Sequence, residues 1–317
     1  MKKEENKNVS HPVRTVNKIA HMAGHNAAVY CIEKGNSENR IFTGSSDQAV
    51  IEWDLKGEQP PKVIANVGAI VYSLCFITEN NYLIIGDAKG GIHILDMKAK
   101  KETKALVLSL QPIFDIKYSK ENKTFITASG DGSISFWSIT DFSLKETLVL
   151  CKEKVRALDL NTDESKLAVG CGDGSVRIID MKTMAEETCI EAHQKSVFSV
   201  KFHPTKQLLL SGGMDAQLMV WEIANEYKLR YKIPVHNLSI YSIVFSPNNR
   251  FIATGSRDKT VKIWDADSYK PVKRLDKDKM EGHQHSVNKL LWTKHNNYLL
   301  STGDDKALMV WEVVEQE

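Results

Sequence analysis

The sequence predicts an all-β fold: a seven-bladed β-propeller of four-stranded antiparallel blades, closed by pairing the N-terminal strand with the last blade. Three observations carry this reading. A period of about 42 residues runs through the chain, each period holds short strands split by turn signals, and the two ends of the chain complement each other.

The period is set by short apolar runs ending in Trp or a substitute, at Trp53, Leu95, Trp137, Ile179, Trp221, Trp264 and Trp311. The first five are 42 residues apart, and the last two intervals are 43 and 47. An Asp precedes this position by six residues at Asp47, Asp131, Asp173, Asp215, Asp258 and Asp305, with Lys89 in the second unit. A His lies 22 residues before the Asp at His25, His193, His236 and His283.

Inside a unit the pattern is that of strands. SVFSVKFHPTKQLLLSGGMDAQLMVWEI contains two Val-, Phe- and Leu-bearing runs parted by a His-Pro turn, then a third after Gly212-Gly213-Met214-Asp215, and a fourth near Tyr227–Ile233. A period in the low forties without helical periodicity excludes leucine-rich and ankyrin arrays. The seventh unit ends at WEVVEQE after its third strand, whereas Val13–Ala20 is a spare strand ahead of the first unit. Pairing these ends closes the ring and removes an exposed edge. Residues 1–12 are polar and are expected to be disordered, with 13–317 forming a single propeller.

Composition agrees with a globular chain: 317 residues, 42% hydrophobic, 26% charged and a formal net charge of +2. Near-neutrality does not advertise nucleic acid or an anionic membrane. The polar start MKKEENKNVSHP is not a secretory signal, and no apolar run is long enough to span a membrane, so a cytoplasmic address is expected. The five cysteines (Cys31, Cys75, Cys151, Cys171 and Cys189) are irregularly spaced and include no CxxC, which favours free thiols over a disulfide frame or a zinc site.

The units resemble WD repeats: Gly24-His25 and Gly282-His283 match the GH pair, Trp53-Asp54 and Trp264-Asp265 the WD pair, and the sixth unit, through FSPNNRFIATGSRDKTVKIWD, matches almost throughout. The resemblance covers about residues 13–313. It implies a hydrogen-bonded tetrad of His, Ser or Thr, Asp and Trp in each complete unit. By position, complete tetrads are His25, Thr43, Asp47 and Trp53; His193, Ser211, Asp215 and Trp221; His236, Thr254, Asp258 and Trp264; and His283, Ser301, Asp305 and Trp311. A His, Ser and Asp together also suggest a hydrolase, but a set repeated four times at fixed spacing is architecture rather than one active site. The second unit has Val67, Ile85, Lys89 and Leu95 at these positions; the fourth has Cys151, Val169 and Ile179, keeping Asp173; the third has Ser109 for His. These three blades are expected to rely on apolar packing.

The resemblance also implies that partners dock on the face carrying the GH loops and Asp turns. Five residues after the His position, the register gives Tyr30, Tyr72, Phe114, Arg156, Phe198, Tyr241 and Asn288 at the channel rim. Two residues earlier stand Ala28, Ile70, Pro112, Lys154, Ser196, Ser239 and Ser286; before each Asp position stand Ser46, Ala88, Gly130, Gly172, Met214, Arg257 and Asp304. The rim is thus read as an aromatic partner-binding surface with Lys154, Arg156 and Arg257 as cations, Met214 as an apolar contact and Asp304 as its acid. Aromatics and Arg are enriched at interface hot spots; aromatics that merely pack at strand starts are the competing explanation. The expected ligand is a peptide or protein segment with an apolar or aromatic anchor and a nearby acidic group.

The stretch 276–282, an insertion between the sixth and seventh blades, is either a solvated loop or a gate on one side of the rim. His283, His285 and His295 lack the acidic or Cys spacing of a metal site, and the Gly patches at 128–132 and 170–174 are turns rather than phosphate loops. The WD pairs also lack the following Arg found in many ubiquitin-ligase substrate receptors. The sequence therefore points to a non-catalytic scaffold or adaptor, a monomeric propeller without cofactor or metal, working as a subunit of a larger complex. An accessory role in an RNA- or DNA-acting complex is the second class, with nucleic acid met only through that complex. An enzyme using the central channel is the third.

Overall fold

The computed structural model describes residues 13–315. The blades are built from strands of five to ten residues. Their Val, Ile, Leu and Phe side chains alternate between two buried faces, as a sheet sandwiched between neighbouring sheets requires. Blade 1 runs Val29–Lys34, Arg40–Ser45, Ala49–Asp54 and Lys62–Asn66 from channel to outer wall, and the next five blades repeat this order. In blade 7 the outer position is filled by the N-terminal strand Val13–Met22, antiparallel to Leu308–Glu315. The expected ring of seven four-stranded blades is present, and so is its closure by the chain's beginning. Val16 of the closing strand is buried in one core with Trp311 and Val313. Residues 1–12 lie outside the described residues, and so does the expectation of disorder placed on them.

Among the described residues the core is divided into seven apolar clusters, one at each junction between neighbouring blades. Ile41, Trp53, Leu300 and Val310 join blade 1 to blade 7 and so complete the circle. Polar bonds repeat around the inner strands as well. Ser73 Oγ donates to Ile113 O at 2.9 Å, and Asp115 accepts from Leu158 N at 2.9 Å. Asp159 accepts from Phe202 N at 2.8 Å, while Ser199 and Ser242 each accept a backbone N–H of the next blade at 3.1 Å. Asn288 Nδ2 donates to Val29 O at 3.0 Å, bridging blades 7 and 1.

The insertion is a single helical turn, Lys277–Met280, capped by Asp276, whose side chain accepts from Lys279 N. Glu281 at its end binds Lys18 Nζ of the closing strand, through its carboxylate at 2.7 Å and its carbonyl at 3.1 Å. Lys277, Asp278, Lys279 and Glu281 are exposed, and the Lys18 contact ties this solvated stretch to the outer wall of blade 7.

Candidate functional site: the aromatic rim and its supports

The four complete tetrads are assembled as hydrogen-bonded chains. In blade 1, Trp53 Nε1 donates to Thr43 Oγ1 at 2.7 Å, Thr43 Oγ1 lies 2.7 Å from His25 Nε2, and His25 Nδ1 lies 3.0 Å from Asp47 Oδ2. The same contacts fall between 2.8 and 2.9 Å in blades 5, 6 and 7. The carboxylate can only accept, so Nδ1–H donates to it; in a neutral ring Nε2 then accepts the hydroxyl proton while the hydroxyl oxygen accepts from the indole. That polarity needs a neutral imidazole. Burial supplies it for His25 and His236, holding both below the usual histidine value against the pull of Asp47 and Asp258. For Asp47, Asp215, Asp258 and Asp305, burial opposes ionisation most strongly. It is outweighed by backbone N–H donors and the facing His, so all four titrate below the usual carboxylate range.

The degenerate blades differ from one another. Blade 3 keeps the indole–hydroxyl half, Trp137 Nε1 to Thr127 Oγ1 at 3.1 Å, and sets Ser109 Oγ 3.3 Å from Ser129 Oγ. Blade 2 packs Ile85, Leu95 and Val67 in an apolar cluster and also carries a polar network. His93, on its third strand, reaches Asp87 at 3.1 Å and Glu102 at 2.7 Å, and Asp87 also accepts from Lys89 N and Gly91 N. A different His and a different Asp thus tie this blade together, at positions the WD register does not sample. Blade 4 holds Cys151, Cys171 and Asp173, with their sulfur and carboxylate atoms within 4.8 Å of one another. Asp173 already accepts from Ser175 N at 2.9 Å and Ser175 Oγ at 2.6 Å and faces Arg177 at 3.6 Å. The guanidinium opposes a cation there, and we do not read the group as a metal centre.

The seven rim residues share one backbone device. Tyr30, Tyr72, Phe114, Arg156, Phe198, Tyr241 and Asn288 each sit at a register break on the inner strand of their blade. A bulge leaves its extra residue out of the ladder and re-aims its side chain. Seven bulges at one register place seven side chains at the mouth of the channel. Beside them, the residue before each Asp position donates its N–H to the carbonyl of the residue two before the rim position in all seven blades, from Ser46 to Ala28 through Asp304 to Ser286. The three sets aligned by sequence are therefore neighbours in space.

The rim side chains are all half-buried and most touch one another. Tyr30 and Tyr72 have ring centres 5.2 Å apart, Tyr72 and Phe114 5.3 Å, and Phe198 and Tyr241 5.0 Å. Arg156 fills the gap, its guanidinium carbon 4.8 Å from the Phe114 ring centre and 5.0 Å from that of Phe198. Each aromatic contact contributes about 0.5–1.5 kcal/mol beyond its buried area, and each cation–π contact a similar amount. The arc thus satisfies part of the packing explanation while leaving ring edges and faces open. Lys154 Nζ stands 6.0 Å from the Phe114 ring, and Met214 and Arg257 are exposed. Asp304 accepts from Asn288 Nδ2 at 2.8 Å, so the rim's acid is engaged in closing the arc.

Arg156 is electrostatically unsatisfied. Its Nε is buried without a hydrogen-bond partner, and no carboxylate pairs with it among the described residues. Burial holds it below the usual arginine value, more than the opposing pull of Tyr241, Tyr72 and Glu153. Burial likewise pushes the Tyr30 and Tyr241 phenols up, keeping them as neutral O–H groups.

Below the rim, sequence reasoning missed a set of channel charges. Glu33, Asp115, Lys117, Asp159, Lys201 and Lys289 line the same cavity as Tyr72 and Phe198. Lys201 pairs with Asp159 at 2.6 Å. Burial pushes Glu33 up against Lys117, whereas at Asp115 burial is outweighed by Lys289 and Lys117. The signal available was the residue one or three places after the rim position, which follows the bulge into the channel wall. A roomier cleft lies on the outer wall between blades 1 and 2, lined by Phe42, Val63, Phe76, Leu95 and Met97. It opens where Leu95 stands in place of Trp, and its His93 already has two acidic partners. At the rim, the buried Arg156 Nε is one of five such side-chain atoms without a hydrogen-bond partner among the described residues.

No helix among the described residues is long and apolar enough to cross a membrane. No curated protein matches the sequence. The family described as "WD domain, G-beta repeat" matches residues 16–54, 104–138, 144–180, 185–222, 227–265 and 274–312, which leaves out the unit whose tetrad is lost. Each matched segment begins on the outer strand of one blade and ends on the third strand of the next, the offset that lets Val13–Met22 close the ring. Propellers of this kind generally serve as protein-interaction scaffolds and are typically non-catalytic. With its six matched repeats and seven-bladed ring, the chain belongs to the WD-repeat family.

Proposed function

We propose that this propeller is a non-catalytic adaptor within a larger complex, and that it binds a protein or peptide segment across the rim. The segment offers an aromatic or apolar anchor to the Tyr30–Tyr72–Phe114 arc and a carboxylate to Arg156. The observation that carries this reading is Arg156 itself: a guanidinium clamped between Phe114 and Phe198 with its buried Nε unpaired. A buried donor without an acceptor costs about 1–3 kcal/mol, which an incoming carboxylate recovers. Two flat aromatic faces hold the planar group in place, so little side-chain entropy is lost on binding. Lys154 and Arg257 add positive potential at the edge and favour the approach of acidic segments.

The test is a fluorescence-polarisation screen of peptides that pair an aromatic residue with Asp or Glu at varied spacing, each matched by an Asn/Gln counterpart. Acidic members should bind at least about tenfold more tightly than their amides, the scale of a charge-assisted hydrogen bond. Tyr72→Ala, Phe114→Ala and Arg156→Ala together should abolish this while leaving the circular dichroism of the fold intact. Equal binding by the folded triple variant would sink the proposal. Tighter, salt-dependent binding of labelled single-stranded RNA or DNA than of any peptide would move the chain to the nucleic-acid class.

A further inference from the structure

Blade 4 carries a thiol pair that its neighbour explains. In blade 3, Ser109 and Ser129 occupy two positions whose hydroxyls lie 3.3 Å apart. Forty-two residues on, the same two positions hold Cys151 and Cys171. Their sulfurs lie within 4.8 Å of each other. The loop that bears Cys151 and the end of the strand that bears Cys171 are held together by the bond common to every blade, here Gly172 N–H donating to Lys154 O at 2.7 Å. A Cβ there would lie 2.8 Å from Glu153 Cβ. Cys171 is fully buried, whereas Cys151 is half-exposed, with its thiol donating to Glu153 O at 2.9 Å.

We propose that Cys151 and Cys171 form a reversible redox site at the edge of the rim, in which a peroxide oxidises Cys151 and Cys171 resolves it to a disulfide. Only the outer sulfur meets solvent, so the order of events is fixed by access. The Cys151 thiolate attacks one peroxide oxygen: an S–O bond forms, the O–O bond breaks, hydroxide leaves, and Cys151 becomes a sulfenic acid. The Cys171 sulfur then attacks the Cys151 sulfur: an S–S bond forms, the S–O bond breaks, and the thiol proton leaves with the hydroxyl as water. A small dithiol restores both thiols. The electrostatics run the same way. Contact with Cys171 and with the Glu153 backbone lowers Cys151 to about 7, while contact with Cys151 and burial push Cys171 up. The pair therefore has one nucleophilic and one reserve sulfur. The disulfide would staple the 151–154 loop, which brings Lys154 to the rim, onto the end of the second strand of the blade.

Tryptic digestion separates the two sulfurs onto peptides 146–152 and 167–177. The full-length protein is treated with hydrogen peroxide, denatured in N-ethylmaleimide, digested without reductant and mapped by mass spectrometry. The expected product is the two peptides joined with the loss of two hydrogens, separating again when dithiothreitol is added before digestion. Cys171→Ser, which recreates the Ser129 position of blade 3, should halt the reaction at a Cys151 sulfenic acid trapped by dimedone. Cys151→Ser should leave Cys171 unoxidised. The proposal is overturned if the wild-type protein yields no linked pair, if Cys189 takes the place of either partner, or if Cys171→Ser forms no dimedone adduct at Cys151.

Discussion

Replacing Thr254 by Val tests whether the tetrads hold the blades by hydrogen bonding or only by shape. Thr254 is fully buried; its hydroxyl accepts from Trp264 Nε1 at 2.9 Å and lies 2.8 Å from His236 Nε2. Val has the same shape, so no cavity opens, but the indole N–H and the imidazole nitrogen both lose their partner. Leaving each unsatisfied costs about 1–3 kcal/mol, offset by roughly 1 kcal/mol from the added buried methyl, for a net loss of about 1–5 kcal/mol, centred near 3. With a urea slope of about 3 kcal/mol/M, the unfolding midpoint should fall by about 1 M. Thr254→Ser keeps the hydroxyl and should lose less than half as much. The reciprocal change is made in blade 4, where Val169 holds the equivalent position and Cys151 and Ile179 replace His and Trp. Val169→Thr buries a hydroxyl with no imidazole or indole to meet and should destabilise rather than stabilise. Equal urea midpoints for Thr254→Val and Thr254→Ser, or a stabilised Val169→Thr, would refute the reasoning.

Acid should weaken the ring in two stages. The lowered histidines His25 and His236 contribute stability that is complete above the ordinary value of 6.5 and is lost as pH falls through their folded values. Below the ordinary 3.8, protonation of Asp47, Asp215, Asp258 and Asp305 removes a second share; Asp258→Asn should flatten that lower limb in a plot of thermal midpoint against pH. Deleting residues 1–22 removes the strand that covers blade 7 and the buried Val16, and differential scanning calorimetry should show a fall of many degrees; an unchanged midpoint would count against closure by this strand. Gly174→Ala combines a φ of +93° with a Cβ only 2.2 Å from His193 O and should cost more than the ~1 kcal/mol of a left-handed Ala alone. Gly57→Ala, at φ +72° in open space, is the matched comparison and should cost no more than that amount in chemical denaturation.

The chain's own order determined the number of blades, the strands within them, the closure by Val13–Ala20 and the members of each tetrad. These follow from spacings inside one repeat, and a sequence displays such spacings directly. Tyr30, Tyr72 and Phe114 could likewise be aligned by register. The tertiary structure decided what happens between repeats. It placed a bulge under each rim residue, stacked the rings of adjacent blades and set Arg156 between Phe114 and Phe198. It gave blade 2 a replacement network through His93, gathered Glu33, Asp115 and Asp159 into one channel, and brought Cys151 to Cys171. These outcomes depend on distances between side chains on different strands and blades, which are set by sheet twist and ring closure. A periodic sequence states which positions are equivalent. Only the folded ring shows which of those equivalent positions meet, and with what left unpaired.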